Sequence, residues 1–197
     1  NFGQSVYEVS PVLDGHFCNW PYHQARLERS LATAGIIDRT DWPSVLRELI
    51  ARNDLVEGRV YLQITGGVTA DRDFLMPDPA PEPTRFAFTQ AADVQGSPLA
   101  LRGLRVMLYP EGRWKVRSAK TTQLLYAVLA KEAARAAGVD DAWFVEDGLV
   151  TEQTSANAHI IDARGVLVSH PVDSGVLPGV TAAPFTLTLT PAGSPGT

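Results

Sequence analysis

The chain has 197 residues, 45% of them hydrophobic and 20% charged, with a formal net charge of −5. This is the balance of a globular protein long enough to bury a real core in one domain or two small ones. The negative charge, with no basic run interleaved with aromatics, argues against nucleic acid as the main partner. No apolar run reaches the roughly 20 residues of a membrane-crossing helix, and the single cysteine, Cys18, has no partner for an internal disulfide, so a cytoplasmic setting is expected. Four scattered histidines and that cysteine show no metal-ligand spacing. The sequence opens at Asn1 with no secretory signal, and its true beginning is expected to lie upstream.

Residues 5–12 alternate as a strand does, with Val6, Glu8 and Ser10 on one face and Tyr7 and Val9 on the other. Asp14-Gly15 marks a turn back through His16, Phe17 and Cys18. A helix is expected near 22–34, with a core stripe of His23, Leu27, Leu31 and Ala34, closed by Gly35. Arg26 falls on the flank of that stripe, at the boundary between core and solvent. A second helix runs from about Trp42 to Arg52. Asp41 caps it, Pro43 fits its first turn, and Val45, Leu46, Leu49 and Ile50 face inward.

Residues 58–65 are a further alternating strand, and Phe86 to Thr89 a short one. Between them lies a loop from Gly66 to Pro83 with prolines at 77, 79, 81 and 83, of the kind that more often carries function than core. Residues 91–98 are polar and loose. A domain boundary there divides a small N-terminal α/β domain, 1–92, from a larger one, 93–197. The second part reads as a strand at 103–109, then a helix from Leu124. Short strands follow at 142–145, 149–152, 158–161 and 166–168, with Asp147-Gly148 turning the first pair. From Ser174 to Thr197 the chain carries no charge and is rich in Pro, Gly and Thr, unlike a packed terminal element.

Lys120 precedes the helix in which Leu124, Leu125, Val128 and Leu129 recur at helical spacing. Thr121 or Thr122 is the expected cap and Gly138 the stop, which would place Lys120 at the helix mouth. A lysine buried there would tend to lose its proton and become a nucleophilic amine.

Five features lie in order along the chain. They are Tyr7 in Val-Tyr-Glu-Val, Arg26 in His-Gln-Ala-Arg-Leu, and Lys120 shortly before Leu124-Leu125. Then come Glu152 in Val-Thr-Glu-Gln-Thr-Ser-Ala-Asn and the segment Leu177-Pro178-Gly179-Val180-Thr181. Together they resemble the class IV (fold type IV) aminotransferases that use pyridoxal phosphate, and among these most of all the D-amino-acid aminotransferases. Branched-chain aminotransferases and aminodeoxychorismate lyase share much of the pattern. The resemblance covers residues 2 to about 181. It implies an α+β (α/β) fold of two domains and a homodimer. It also implies a ping-pong transfer of an amino group between an amino acid, D-alanine for example, and a 2-oxo acid.

By the same resemblance, Lys120 would form the Schiff base with pyridoxal 5'-phosphate and act as general base, and Glu152 would sit beside the pyridine nitrogen. Arg26 would hold the phosphate, with Val180, Thr181, Ser155 and Asn157 also on the cofactor. Tyr7 would lie near the phenolic oxygen and the substrate. A carboxylate beside the ring nitrogen keeps it protonated, so that the ring can draw in electrons. A phosphate dianion calls for a guanidinium fork and clustered amides.

Two places depart from the family pattern. Where the D-amino-acid enzymes carry an arginine and a histidine two positions apart for the substrate carboxylate, this chain has Arg72 and Phe74, and Gly66 stands where arginine is common. After Thr181 the family runs on into an arginine and a helix; here Ala182 and the uncharged stretch 182–197 follow, and the usual first strands are missing at the front. The chain is therefore expected to be a fragment with an incomplete cofactor domain. The rival readings are a branched-chain amino-acid aminotransferase, a lyase acting on aminodeoxychorismate, and a non-catalytic remnant.

Overall fold

The computed structural model describes residues 3–71, 73–172 and 175–181. They divide into two compact units: the described residues of Asn1–Leu101 with Ala119–Gln123, and those of Arg102–Ser118 with Leu124–Thr197. Both mix helix and strand, as expected.

In the first unit β1 (Ser5–Leu13), β2 (His16–Phe17), β3 (Gly58–Thr65) and β4 (Thr84–Ala91) form one antiparallel sheet in the order β2-β1-β3-β4. The register sets Val6 opposite Ile64, Glu8 opposite Leu62 and Ser10 opposite Val60, so the alternating inward positions of both strands meet. Two helices, α1 (Trp20–Ala34) and α2 (Trp42–Arg52), supply the other half of the core. Leu27, Leu31, Trp42, Leu46 and Ile50 pack with Val6, Val12, Val60, Leu62 and Ile64. Gly35 ends α1 at φ 64°, a conformation without a Cβ penalty in glycine. Asp41 caps α2 by accepting from the Ser44 N–H at 3.4 Å. The inner stripe of α2 is Trp42, Leu46 and Ile50; Val45 is exposed and Leu49 half-buried, because a short helix on a sheet buries one narrow i, i+4 row.

The hairpin strand β2 covers only Val12 and Leu13 of β1. The edge beside Ser5–Tyr7 is taken instead by the returning segment 119–123. Tyr7 N–H donates to the Lys120 carbonyl at 3.1 Å, Thr122 N–H donates to the Ser5 carbonyl at 3.0 Å, and Val6 bridges Thr121.

In the second unit β5 (Val106–Pro110) pairs in parallel with β6 (Asp141–Glu146), and α4 (Leu125–Ala136) connects them. The antiparallel neighbour β7 (Leu149–Gln153) returns through Asp147 and Gly148, at φ 51° and 79°, the left-handed pair a two-residue hairpin requires. A separate hairpin pairs β8 (His159–Ile161) with β9 (Leu167–Ser169). A five-residue helix, α3 (Pro98–Arg102), follows the loose stretch and was not foreseen.

One expectation about α4, its N-cap, is corrected, and the row of leucines that marked the helix is not its packed face. The face it packs on β6 is Ala127, Ala130 and Ala134, against Ala142 and Phe144, while Leu125, Val128 and Leu129 are exposed. Small side chains let the helix lie close on the strand, so the alanines form the contact. Its N-cap is Leu124, without a side-chain cap. Thr121 and Thr122 are engaged with β1, so Lys120 lies in an extended segment rather than at the first turn.

Candidate active site

Lys120 is held by its backbone. Its carbonyl accepts from Tyr7, and its N–H donates to the hydroxyl of the fully buried Ser30 at 3.0 Å. Ser30 Oγ in turn donates to the Arg26 carbonyl at 2.9 Å, which ties the segment to α1. The side chain is half-buried, and its Nζ lies 4.2 Å from the centroid of the Tyr7 ring, whose face attracts an ammonium. Tyr7 begins an aromatic row across the outer face of the sheet. Its ring stacks on Tyr61 at 5.6 Å, and Tyr61 stacks on Phe88 at 4.9 Å.

Arg26 is inside the unit, with 5% of its surface exposed, rather than on the flank of the helix. The cause is Glu8, which projects into the core from β1 and requires a partner there. Arg26 Nε donates to Glu8 Oε1 and Arg26 Nη2 to Glu8 Oε2, both at 2.7 Å, and His23 Nδ1 lies 2.7 Å from the same Oε2. Burial pushes the Glu8 carboxyl up, but the bonds and charges of Arg26 and His23 outweigh it and bring it below the usual range. The sequence held a signal for this triad. An acid on the inward face of a strand needs charged neighbours, and His23 and Arg26 share one face of α1 at i, i+3.

In the second unit Glu152, 3% exposed, lies on β7. Asn157 Nδ2 donates to its Oε1 at 3.1 Å and the Leu177 N–H donates to the same oxygen at 3.0 Å, while Arg113 Nη1 donates to Oε2 at 2.7 Å. Burial pushes the Glu152 carboxyl above the usual range, against the pull of Arg113 and the Leu177 N–H, and the nearby Glu111 charge adds to the rise. No feature of the sequence singled out Arg113 or Glu111. Pairing partners contributed by loops have no periodic signature.

Of the other expected site residues, Asn157 donates through the same amide to the Leu177 carbonyl at 2.9 Å, so it ties the segment 177–181 to Glu152. Ser155 is exposed, Val180 is buried at 8%, and Thr181 is exposed in a turn with it. Arg72 lies outside the described residues, and Phe74 is 80% exposed. Lys120, Tyr7 and Arg26 thus belong to the first unit, and Glu152, Asn157 and the segment 177–181 to the second.

The family model for class IV amino-transferases matches residues 5–194. A D-alanine aminotransferase of Bacillus licheniformis is 32% identical over 184 residues, covering 91% of this chain and 63% of that protein. Among solved structures, a candidate 4-amino-4-deoxychorismate lyase from Legionella pneumophila superposes with a TM-score of 0.81 at 26% identity, over 94% of this chain and 69% of that one. The branched-chain amino acid aminotransferase of Escherichia coli shares the fold, with a TM-score of 0.79 at 20% identity over 95% and 65% of the two chains. The chain therefore spans about 63% of the length of the D-alanine aminotransferase that it resembles.

Proposed function

The chain belongs to the class IV aminotransferases, and from that premise we propose that it carries the residues of a pyridoxal 5'-phosphate-dependent transaminase acting on an amino acid and a 2-oxo acid. Its likeness to a D-alanine aminotransferase favours a D-amino acid such as D-alanine. The observation that carries the reading is the setting of Lys120, an amine over an aromatic face with its backbone fixed from both sides.

When bound, the cofactor supplies an aldehyde and a ring that accepts electron density from the substrate's Cα. The residues fit its groups by type. Glu152 is a buried carboxylate whose Oε1 takes two donors and whose Oε2 takes one, Arg113, among the described residues. A carboxylate oxygen has two accepting sites, so Oε2 can take a further N–H, that of a protonated ring nitrogen. Lys120 would hold the cofactor through its amine and would take and return the proton at the substrate's Cα. Tyr7 confines that amine to one face. Arg26, whose guanidinium is fixed by Glu8, would hold the phosphate, and Val180 and Thr181 would contribute an N–H and a hydroxyl to it. Ser155 and Asn157 complete the set, Asn157 by keeping the segment 177–181 beside Glu152. Arg72 is the proposed anchor for the substrate carboxylate. A homodimer of a small domain, 1–92, and a larger domain, 93–197, belongs to this reading.

Phe74 in place of a histidine leaves the carboxylate anchor weaker than in the D-amino-acid pattern, which favours a second reading, a lyase of the kind named for the Legionella protein. The test is borohydride reduction of the chain with pyridoxal phosphate, followed by peptide mapping. The expected result is a pyridoxyl group on Lys120; its absence there sinks the reading in favour of a non-catalytic remnant. With the label found, amino transfer to 2-oxoglutarate from D-alanine or L-leucine is assayed. Failure of both, with pyruvate release from aminodeoxychorismate, selects the lyase.

A further inference from the structure

Glu152 shares its site with a second arginine-centred cluster that the family reading leaves without a role. Arg113 has 15% of its side chain exposed, between two acids at 1% and 4%, Glu111 and Glu152. Glu111 grips it several ways. Arg113 Nε lies 3.0 and 3.2 Å from the two Glu111 oxygens, Nη2 donates to Oε2 at 2.6 Å, and the Arg113 N–H donates to Oε1 at 3.0 Å. Glu111 is itself held by the Thr151 hydroxyl at 2.9 Å and by Arg117 at 3.4 Å, with Arg117 also paired to Glu146. The guanidinium carbon lies 4.5 Å from the centroid of the Phe144 ring, a residue of the second core. The fork is thus fixed on two sides, and Nη1 is left to meet Glu152 Oε2 at 2.7 Å.

We propose that Arg113, clamped by Glu111 and Phe144, is the positioning residue of Glu152: it fixes the carboxylate's rotation and holds it in the charged form that a protonated ring nitrogen needs. The proposal rests on the transaminase reading for the identity of that nitrogen, and on this chain's own contacts for the rest. With the cofactor bound, its ring nitrogen would compete for protons with two buried acids. A guanidinium cannot release one, so the Arg113 charge disfavours the neutral carboxylic acid and would leave the shared proton on the ring. Glu111 offsets part of that charge, so the carboxylate is not pulled wholly onto Arg113. Among the described residues the groups facing Glu152 are then Arg113 and Glu111 by charge, and the Asn157 amide and Leu177 N–H by hydrogen bond.

The experiment is a carboxyl-carbon NMR titration of the cofactor-free chain, with the Glu152 signal assigned by its loss in Glu152→Gln. Arg113→Gln is expected to raise the Glu152 midpoint, weakening the acid about tenfold or more, the scale of losing an opposite charge in contact. Arg113→Lys keeps a charge but lacks the fork to span both acids, and is expected to shift the midpoint in the same direction by less. In the unaltered chain the Arg113 side-chain nitrogen signals are expected to titrate with the Glu152 midpoint, a result that needs no variant to fold. An unchanged midpoint in folded Arg113→Gln, or Arg113 nitrogens indifferent to Glu152, overturns the proposal. A merely structural arginine would lower stability without moving either signal.

The cofactor reading fails separately. If no pyridoxyl group forms on Lys120, that reading falls while the titrations still decide what Arg113 does to Glu152. If it forms with ring-labelled cofactor, Arg113→Gln should shift the ring-nitrogen signal towards the unprotonated form, and no shift there overturns the proposal alone.

Discussion

Lys120 Nζ sits 4.2 Å from the centre of the Tyr7 ring, and the same two residues are joined through the backbone by a Tyr7 N–H to Lys120 carbonyl bond of 3.1 Å. One strand residue thus sets both the height of the lysine's main chain and the surface its side chain lies on. A residue distant in sequence thus has its amine confined against one strand.

Ser30 is the third point of that support. Ser30→Ala removes the acceptor of the Lys120 N–H and is expected to cost about 1–3 kcal/mol in denaturant unfolding. It should also slow borohydride-trapped labelling of Lys120 more than Ser30→Thr, which keeps a hydroxyl. A variant with equal stability and labelling would show that the bond does not hold the lysine.

Glu8 is expected to control acid stability. Its carboxyl lies below the usual range when folded, because the bonds to Arg26 and His23 outweigh burial. Its contribution is therefore complete above the unfolded-chain value, roughly 4.3, and is lost as pH falls through the lower folded value. Glu8→Gln leaves the Arg26 charge buried, at an expected cost of about 3–5 kcal/mol near neutral pH. It should also flatten that part of the stability-against-pH curve; an unaltered acid limb would assign the pH dependence to other acids.

The two faces of α4 should respond oppositely. Leu129, 51% exposed, is expected to tolerate Lys within about 0.5 kcal/mol. Ala130, with no exposed surface, should lose about 1–3 kcal/mol on replacement by Leu, because the added atoms meet the sheet. Thermal unfolding of the two variants side by side reads the difference, and a reversed order would mean that the leucine row is the packed face.

Asp140 is held at about 2, from an ordinary value of 3.8, by the two-pronged Arg102 bond and then by the Arg105 N–H. The folded value is the lower one, so any stability it lends is present above the ordinary value and fades as pH drops towards about 2. Carboxyl NMR of Arg102→Gln should show the midpoint returning towards 3.8, and a midpoint that stays near 2 would leave the Arg105 N–H as the cause.

Much of the fold was legible before any coordinates. Val6, Glu8 and Ser10 do share a face, the two helices after them lie within a residue or two of their expected places, and Asp147-Gly148 does turn a hairpin. Each of these depends on neighbours within about one turn or one strand, where periodicity and turn chemistry operate. The leucines of α4 marked a helix correctly for the same reason, but not its packed face. They have helical spacing, but spacing tells that a stripe exists and not which stripe meets a sheet.

Residue types and their order along the chain were enough to name the family that the class IV model matches, and they marked Lys120, Glu152, Arg26 and Tyr7 as the expected site residues. Which atoms they touch depended on pairings between residues far apart in the chain. Glu8 claims Arg26 from 18 positions away, Arg113 reaches Glu152 across 39, and the Lys120 N–H finds Ser30 across 90. Such contacts arise only when strands and loops close on one another and a buried charge or N–H must be matched by whatever the fold brings alongside.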